Sequence, residues 1–365
     1  MKQLVVAFWL LFIFKALGQS SALAAQAGID WASETSAAEN TWVSVTYGNG
    51  LFVAVSADGS GNQVMTSPDG ITWTSRTPAA DLGWNSVTYG NGLFVAVSGG
   101  GNGNQVMTSP DGINWTSRTS AANNNWYSVT YGNGLFVAVS QTGTGNRVMT
   151  SPDGIAWSIQ TSAADSMWRS ITYGNGLFVA VGITPGTYGP PATPTTGNVM
   201  TSSDGMNWTV RSPAAGTFWY GVTYGQGLFV AVSNGGDPMT SPDGITWTSR
   251  TAAVYNGWSS VTYGNGLFVA VGGGGNGNQV MTSPDGITWT SRTSAANNYW
   301  VSVTPGNGLF VAVSIDGAGN RVMVSPPPPI PAAQAVPTLS EWAQLMLGLM
   351  VISMLGWHFY RERSY

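Results

Sequence analysis

The chain repeats one arrangement of apolar and polar positions seven times. In the second repeat, Asn85-Ser86-Val87-Thr88-Tyr89 puts Val87 and Tyr89 on one face and Ser86 and Thr88 on the other, the period of a strand. Leu93-Phe94-Val95-Ala96-Val97-Ser98 follows after Gly90-Asn91-Gly92 and is apolar on both faces, as expected of a strand in a sheet covered on both sides. Gln105 to Thr108 and Ile113 to Arg118 read as a third and a fourth strand, joined by Ser109-Pro110-Asp111-Gly112. Asn-Gly and Asp-Gly between β-rich runs signal hairpins, because glycine takes positive φ without steric cost. We call these strands A to D.

Tryptophan marks the period. Trp42, Trp84, Trp126, Trp168, Trp219, Trp258 and Trp300 each open a repeat, at spacings of 42, 42, 42, 51, 39 and 42 residues. Trp73, Trp115, Trp157, Trp208, Trp247 and Trp289 mark the late segments, and the seventh of that series, Trp31, precedes the first full repeat. A period of about 40 to 50 residues with four strands predicts an all-β fold, the β-propeller.

The last repeat stops at Ser325, before its own strand D. Residues 28–36 around Trp31 match the segment around Trp289, so they are expected to supply strand D to the blade that Trp300 opens, closing a seven-bladed ring over residues 26–325. An open array would need polar end caps, and the sequence offers none.

Composition narrows the chemistry. Charged residues make up 8% of the chain, the net charge is −4 and there is no cysteine, which excludes thiol chemistry and gives no basic face for nucleic acid. Between Trp42 and Ser325 there is no glutamate, histidine or lysine, so acid–base catalysis has little to work with. The chain is therefore expected to be no enzyme and to hold no metal and no cofactor. Arg76, Arg118, Arg211, Arg250 and Arg292 recur at the end of strand D and read as an outer-edge feature. The loops around Asp58 and Asp316 lack the further carboxylates of a calcium loop and read as turns.

Both ends outside the ring read as targeting segments. Residues 1–25 have a basic start, an apolar run from Leu4 to Phe14 and small residues at Ser21 to Ala25, the order of a secretory signal for signal peptidase. Residues 326–335 form a proline-rich spacer. Residues 342–360 are apolar enough for one transmembrane helix of roughly 28 Å, against a hydrocarbon thickness of about 30 Å. Arg361 and Arg363 follow and are expected to stay cytoplasmic.

Val336-Pro337-Thr338-Leu339-Ser340-Glu341-Trp342, with the helix and terminal arginines behind it, resembles the IPTL-CTERM sorting signal of Gram-negative bacteria, a relative of PEP-CTERM. Valine stands where that family usually has isoleucine. The resemblance implies recognition by an exosortase-type membrane protease, removal of the helix, and passage from the inner membrane to the cell surface or beyond.

Ser67-Pro68-Asp69-Gly70-Ile71-Thr72-Trp73 and its counterparts at Asp111, Asp153, Asp204, Asp243 and Asp285 resemble the Asp-box (BNR) hairpin of sialidase-like propellers, one residue short of the usual pattern. The resemblance implies that each aspartate accepts hydrogen bonds from turn amides while the tryptophan packs beneath, a structural role.

Alternating strands send the A–B and C–D turns to one face and the B–C and D–A connections to the other. The first set is nearly constant. The second varies, from Ala57–Asn62 to the long 183–198 loop and the short Asn234–Asp237, and in Leu82, Met167, Phe218, Tyr255 and Tyr299. Tyr188, Phe218, Tyr220, Tyr255 and Tyr299 are the candidate ligand-binding residues, on a face whose low charge suits a neutral sugar or a partner protein. The competing expectations are a purely structural surface protein and, third, a degenerate sialidase-like glycosidase.

Overall fold

The structure, a computed structural model, describes residues 27–184, 199–215 and 218–325. The expected signal segment, Tyr188, the proline spacer and the sorting segment lie outside these residues. Among the described residues every regular element is a β-strand, and no helix is long and apolar enough to cross a membrane.

Seven four-stranded antiparallel sheets form a seven-bladed β-propeller. In blade 2, strand A is Trp84–Gly90, strand B Leu93–Ser98, strand C Val106–Ser109 and strand D Thr116–Arg118. Strand D is half the expected length. The Asp111 carboxylate accepts the amides of Ile113 and Asn114, so those residues belong to the turn and the ladder with strand C starts only at Thr116.

Strand B explains its own composition. Phe94 and Ala96 pack on one side with Trp84 and with Val53 and Val55 of blade 1. Val95 and Val97 pack on the other with Trp126, Phe136 and Met149 of blade 3. Seven such layers, one per blade junction, replace a single central core. Neighbouring strands A also hydrogen-bond: Ser44 Oγ accepts from Val87 N at 3.1 Å, Ser86 Oγ from Val129 N at 3.2 Å, and so on round the ring. Blade 5 carries Gly221 at this position and has no hydroxyl to offer. At the far end of strand A the blades touch more closely, since a Cβ on Gly90 would overlap the ring of Tyr131.

Each strand A carries a bulge just after its tryptophan, as between Trp84 and Ser86. An extra residue at that point leaves the pleat and aims its side chain away from the sheet faces.

The ring closes at blade 7. Strand D is Ala32–Glu34, paired antiparallel with strand C, Val322–Ser325, in the register Ala32↔Val324, Ser33↔Met323 and Glu34↔Val322. Gly28 N donates to Ser325 Oγ at 2.5 Å, as Gly70 N donates to Ser67 Oγ at 2.8 Å inside blade 1. Gly28 shares the positive φ of Gly70, 84° against 75°. The closure is thus a C–D hairpin with its turn cut open. Arg321 adds a second tie, donating to Glu39 Oε2 at 3.2 Å and to Asn40 O at 2.7 Å.

Candidate functional site

The constant face is built from locked turns. The A–B turn holds Asn91 and Gly92 at φ of 49° and 76°, which explains the Asn-Gly pair. In the C–D turn Asp69 Oδ1 accepts from Ile71 N at 2.9 Å, Thr72 N at 2.8 Å and Ser67 Oγ at 2.9 Å. Trp73 Nε1 donates to Gly70 O at 3.0 Å. Asp111, Asp153, Asp204, Asp243 and Asp285 accept the same three bonds. These backbone amides stabilise the ionised form and hold all six carboxyls below the usual aspartate range.

The sign of the pH dependence follows. A carboxyl whose pKa is lowered by folding stabilises the ring at pH above its unfolded value, and that contribution disappears as pH falls through the lowered value. The melting temperature should hold near neutrality and fall steadily below about pH 4. Asp111→Asn should melt lower than the parent at pH 7, with the gap closing toward about pH 2; a gap independent of pH would refute the assignment.

The variable face is stitched rather than loose. Asp58 Oδ1 accepts from Thr41 N at 2.5 Å, Asp316 Oδ1 from Tyr299 N at 2.6 Å, Asp81 Oδ1 from Gly61 N at 2.7 Å and Asp165 Oδ1 from Gly145 N at 2.7 Å. Each bond ties a B–C loop to a D–A connection. Among the described residues no three His, Asp or Glu side chains come together as a metal site would require. The strand D arginines donate from Nε to the strand C threonines, as Arg76 does to Thr66 Oγ1 at 3.0 Å.

The candidate aromatics take two kinds of place. Tyr255 is 78% exposed, and its ring lies against Gly236, where a Cβ would come 2.6 Å from Tyr255 Cδ2. Tyr299 lies against Gly273 in the same way on the next blade and is half-buried. Phe218 is half-buried beside the Trp219 strand, its carbonyl accepting from Asn234 N at 3.0 Å. Tyr220 belongs elsewhere, at the bulge of strand A.

That bulge position forms a feature the sequence reading missed. The seven strands A contact one another and make the innermost ring. The residues their bulges re-aim are Val43, Asn85, Tyr127, Arg169, Tyr220, Ser259 and Val301, all half-buried, at the strand end that the D–A connections feed. Arg169 lies over the rings of Tyr127 and Tyr220, at 4.7 and 5.1 Å from their centroids. With the Gln141 amide turned so that its oxygen faces the guanidinium, that oxygen accepts Nε at 3.1 Å and Nη1 at 3.0 Å. One signal was present in the sequence: within Trp-x-Ser-Val-Thr-Tyr-Gly, the second position is the one whose residue changes in almost every repeat.

A seven-bladed propeller with one locked face and one varied face is the class these features define. No protein family model and no curated protein sequence matches the chain. Solved structures do match its fold. Virginiamycin B lyase from Staphylococcus aureus is similar at 13% identity with a TM-score of 0.65, covering 81% of this chain and 98% of the other. YCF48 from Cyanidioschyzon merolae is similar at 15% identity with a TM-score of 0.58, covering 82% and 98%. YCF48 bound to D1 peptide aligns at 16% identity with a TM-score of 0.60. At these identities the likeness is one of fold.

Proposed function

We propose that the chain is exported across the inner membrane, held there by its C-terminal helix, sorted to the cell surface, and acts by binding a glycan or partner protein through the variable face, without catalysis. The observation that carries the binding role is the confinement of sequence variation to one face whose loops are hydrogen-bonded into fixed positions. Drift in unconstrained loops would leave no reason for the cross-loop bonds of Asp58, Asp81, Asp165 and Asp316.

Topology supports display. Strand C of blade 7 ends at Ser325, on the locked face, and the sorting segment follows in sequence. The sorting segment is thus joined to the end of the chain that lies on the face opposite the variable one. The lack of glutamate, histidine and lysine between Trp42 and Ser325 speaks against hydrolysis, and the similar folds include both a lyase and a protein solved with a peptide, so the fold decides neither way.

A glycan array probed with the full-length chain tests the reading. Binding is expected, and Tyr188→Ala with Tyr255→Ala should weaken it by about tenfold or more, the loss of stacking area and its contacts. A blank array would favour a display protein with no ligand of this kind. For sorting, surface-released protein should have a mass short of residues 26–365 by the C-terminal helix, whereas the full mass of residues 26–365 would mark a permanent anchor.

A further inference from the structure

Eight arginines and no lysine occur among the described residues. Five of them are the strand D residues bound to threonine, or in the same position, and Arg147 and Arg321 pair with Asp165 and Glu39. Arg169 alone has neither kind of partner, and no described carboxylate lies within ion-pair distance of it. Its guanidinium is nevertheless held in place. Its central carbon lies over two tyrosine rings, the Gln141 amide, once turned, accepts from Nε and Nη1, and Nη2 has no acceptor among the described residues. A stacked guanidinium is weakly hydrated and keeps its fork in place, so a carboxylate can engage its outer edge with little loss of side-chain freedom.

We propose that Arg169, framed by Tyr127 and Tyr220 at the inner rim of the variable face, is the anchor for a carboxylate of an acidic polysaccharide, a polymer of hexuronic acid residues. This rests on the binding role of that face and replaces the neutral sugar suggested by composition alone. Two features select this chemistry. The other six bulge positions are uncharged, so the rim fixes one carboxylate rather than a dense row of anions. Tyr255, 78% exposed on the same side and lying against Gly236, offers an aromatic surface on which a sugar ring can stack.

The experiment is calorimetric titration of the full-length chain with hexagalacturonate, with its carboxyl-reduced neutral counterpart and with hexaglutamate. Hexagalacturonate should bind, more weakly as salt is raised, and the neutral sugar should bind at least about tenfold less tightly. Arg169→Gln should bring hexagalacturonate down to the level of the neutral sugar, and Arg169→Lys, which keeps the charge and loses the fork, should fall between. Arg292→Gln should change nothing. If Arg169→Gln does not fold, as judged by its melting curve, the Arg169→Lys variant and the acidic-against-neutral comparison on the parent decide. Equal binding of acidic and neutral sugars, or an unaltered affinity in Arg169→Gln, overturns the anchor while leaving a glycan-binding face intact. Binding of hexaglutamate without hexagalacturonate overturns the sugar in favour of an acidic peptide. No binding by any probe, together with a blank array, removes both readings.

Discussion

Deletion of residues 28–34 is expected to abolish the ring as a cooperative unit, with a melting temperature more than about 10 °C below the parent and concentration-dependent association. These residues supply strand D of blade 7, the Gly28–Ser325 bond and the indole of Trp31, which packs on the layer between blades 6 and 7 formed by Val269, Trp300 and Phe310. Without them strand C, Val322–Ser325, becomes an open edge of four buried residues, an invitation to pair with another chain. The loss also removes the tie between the two ends of the sequence, so unfolding can start at blade 7 and move inward. Ser325→Ala should be far milder, about 1 kcal/mol for one hydrogen bond. The opposite change is available because the chain has no cysteine: Ser33→Cys with Met323→Cys joins a cross-strand pair and should raise the melting temperature in oxidising buffer. Size-exclusion chromatography with light scattering and thermal melting check both arms. A monomeric deletion variant that melts like the parent would mean the ring does not depend on its N-terminal strand.

The features that could be read from sequence are those that repeat. Asn-Gly and Asp-Gly at fixed offsets give the turns, and the both-faced apolar strand B gives stacked sheets, because Phe94 and Val95 have to be buried on opposite sides. The match between the segments around Trp31 and Trp289 points to the strand that completes blade 7. Two features resisted the same reasoning. Strand D was read too long because Ile113 and Asn114 look like strand residues, and only the capture of their amides by Asp111 makes them turn. The bulge after each tryptophan breaks the period of two, so alternation assigns Arg169 to no face. Its clasp depends on Tyr127 and Tyr220 from the blades on either side and on Gln141 from a loop of blade 3, a meeting that no local window contains. Tyr255 and Tyr299 could be singled out as exposed-loop aromatics, but that each is backed by a glycine follows only from the pairing of loops across a blade junction.

Trp126→Ala should cost about 3–5 kcal/mol from the cavity and lost contacts, and about 1 kcal/mol more for the hydrogen bond that Nε1 donates to Ala122 O at 3.0 Å. Trp126 is fully buried between Val95 and Val97 of blade 2 and Phe136, Ala138 and Met149 of its own blade. Strands on both sides are held by ladder bonds and cannot close on a void of that size, so the upper part of the range is expected. At about 2–4 °C per kcal/mol for a chain of this size, melting should fall by roughly 10 °C or more. Trp258 offers an internal comparison. It is as deeply buried, but its Nε1 has no acceptor among the described residues, and Val254 stands where the other repeats have alanine four residues before the tryptophan. Trp258→Ala should therefore cost less than Trp126→Ala by about the worth of one hydrogen bond, and Trp126→Phe, which keeps most of the volume, should recover most of the loss. Urea titrations of the three variants measure these differences directly. Equal costs for the two alanine variants would mean that packing alone sets the value of the repeated tryptophan, and a cost under about 1 kcal/mol would mean that the blade layers relax as a fluid core does.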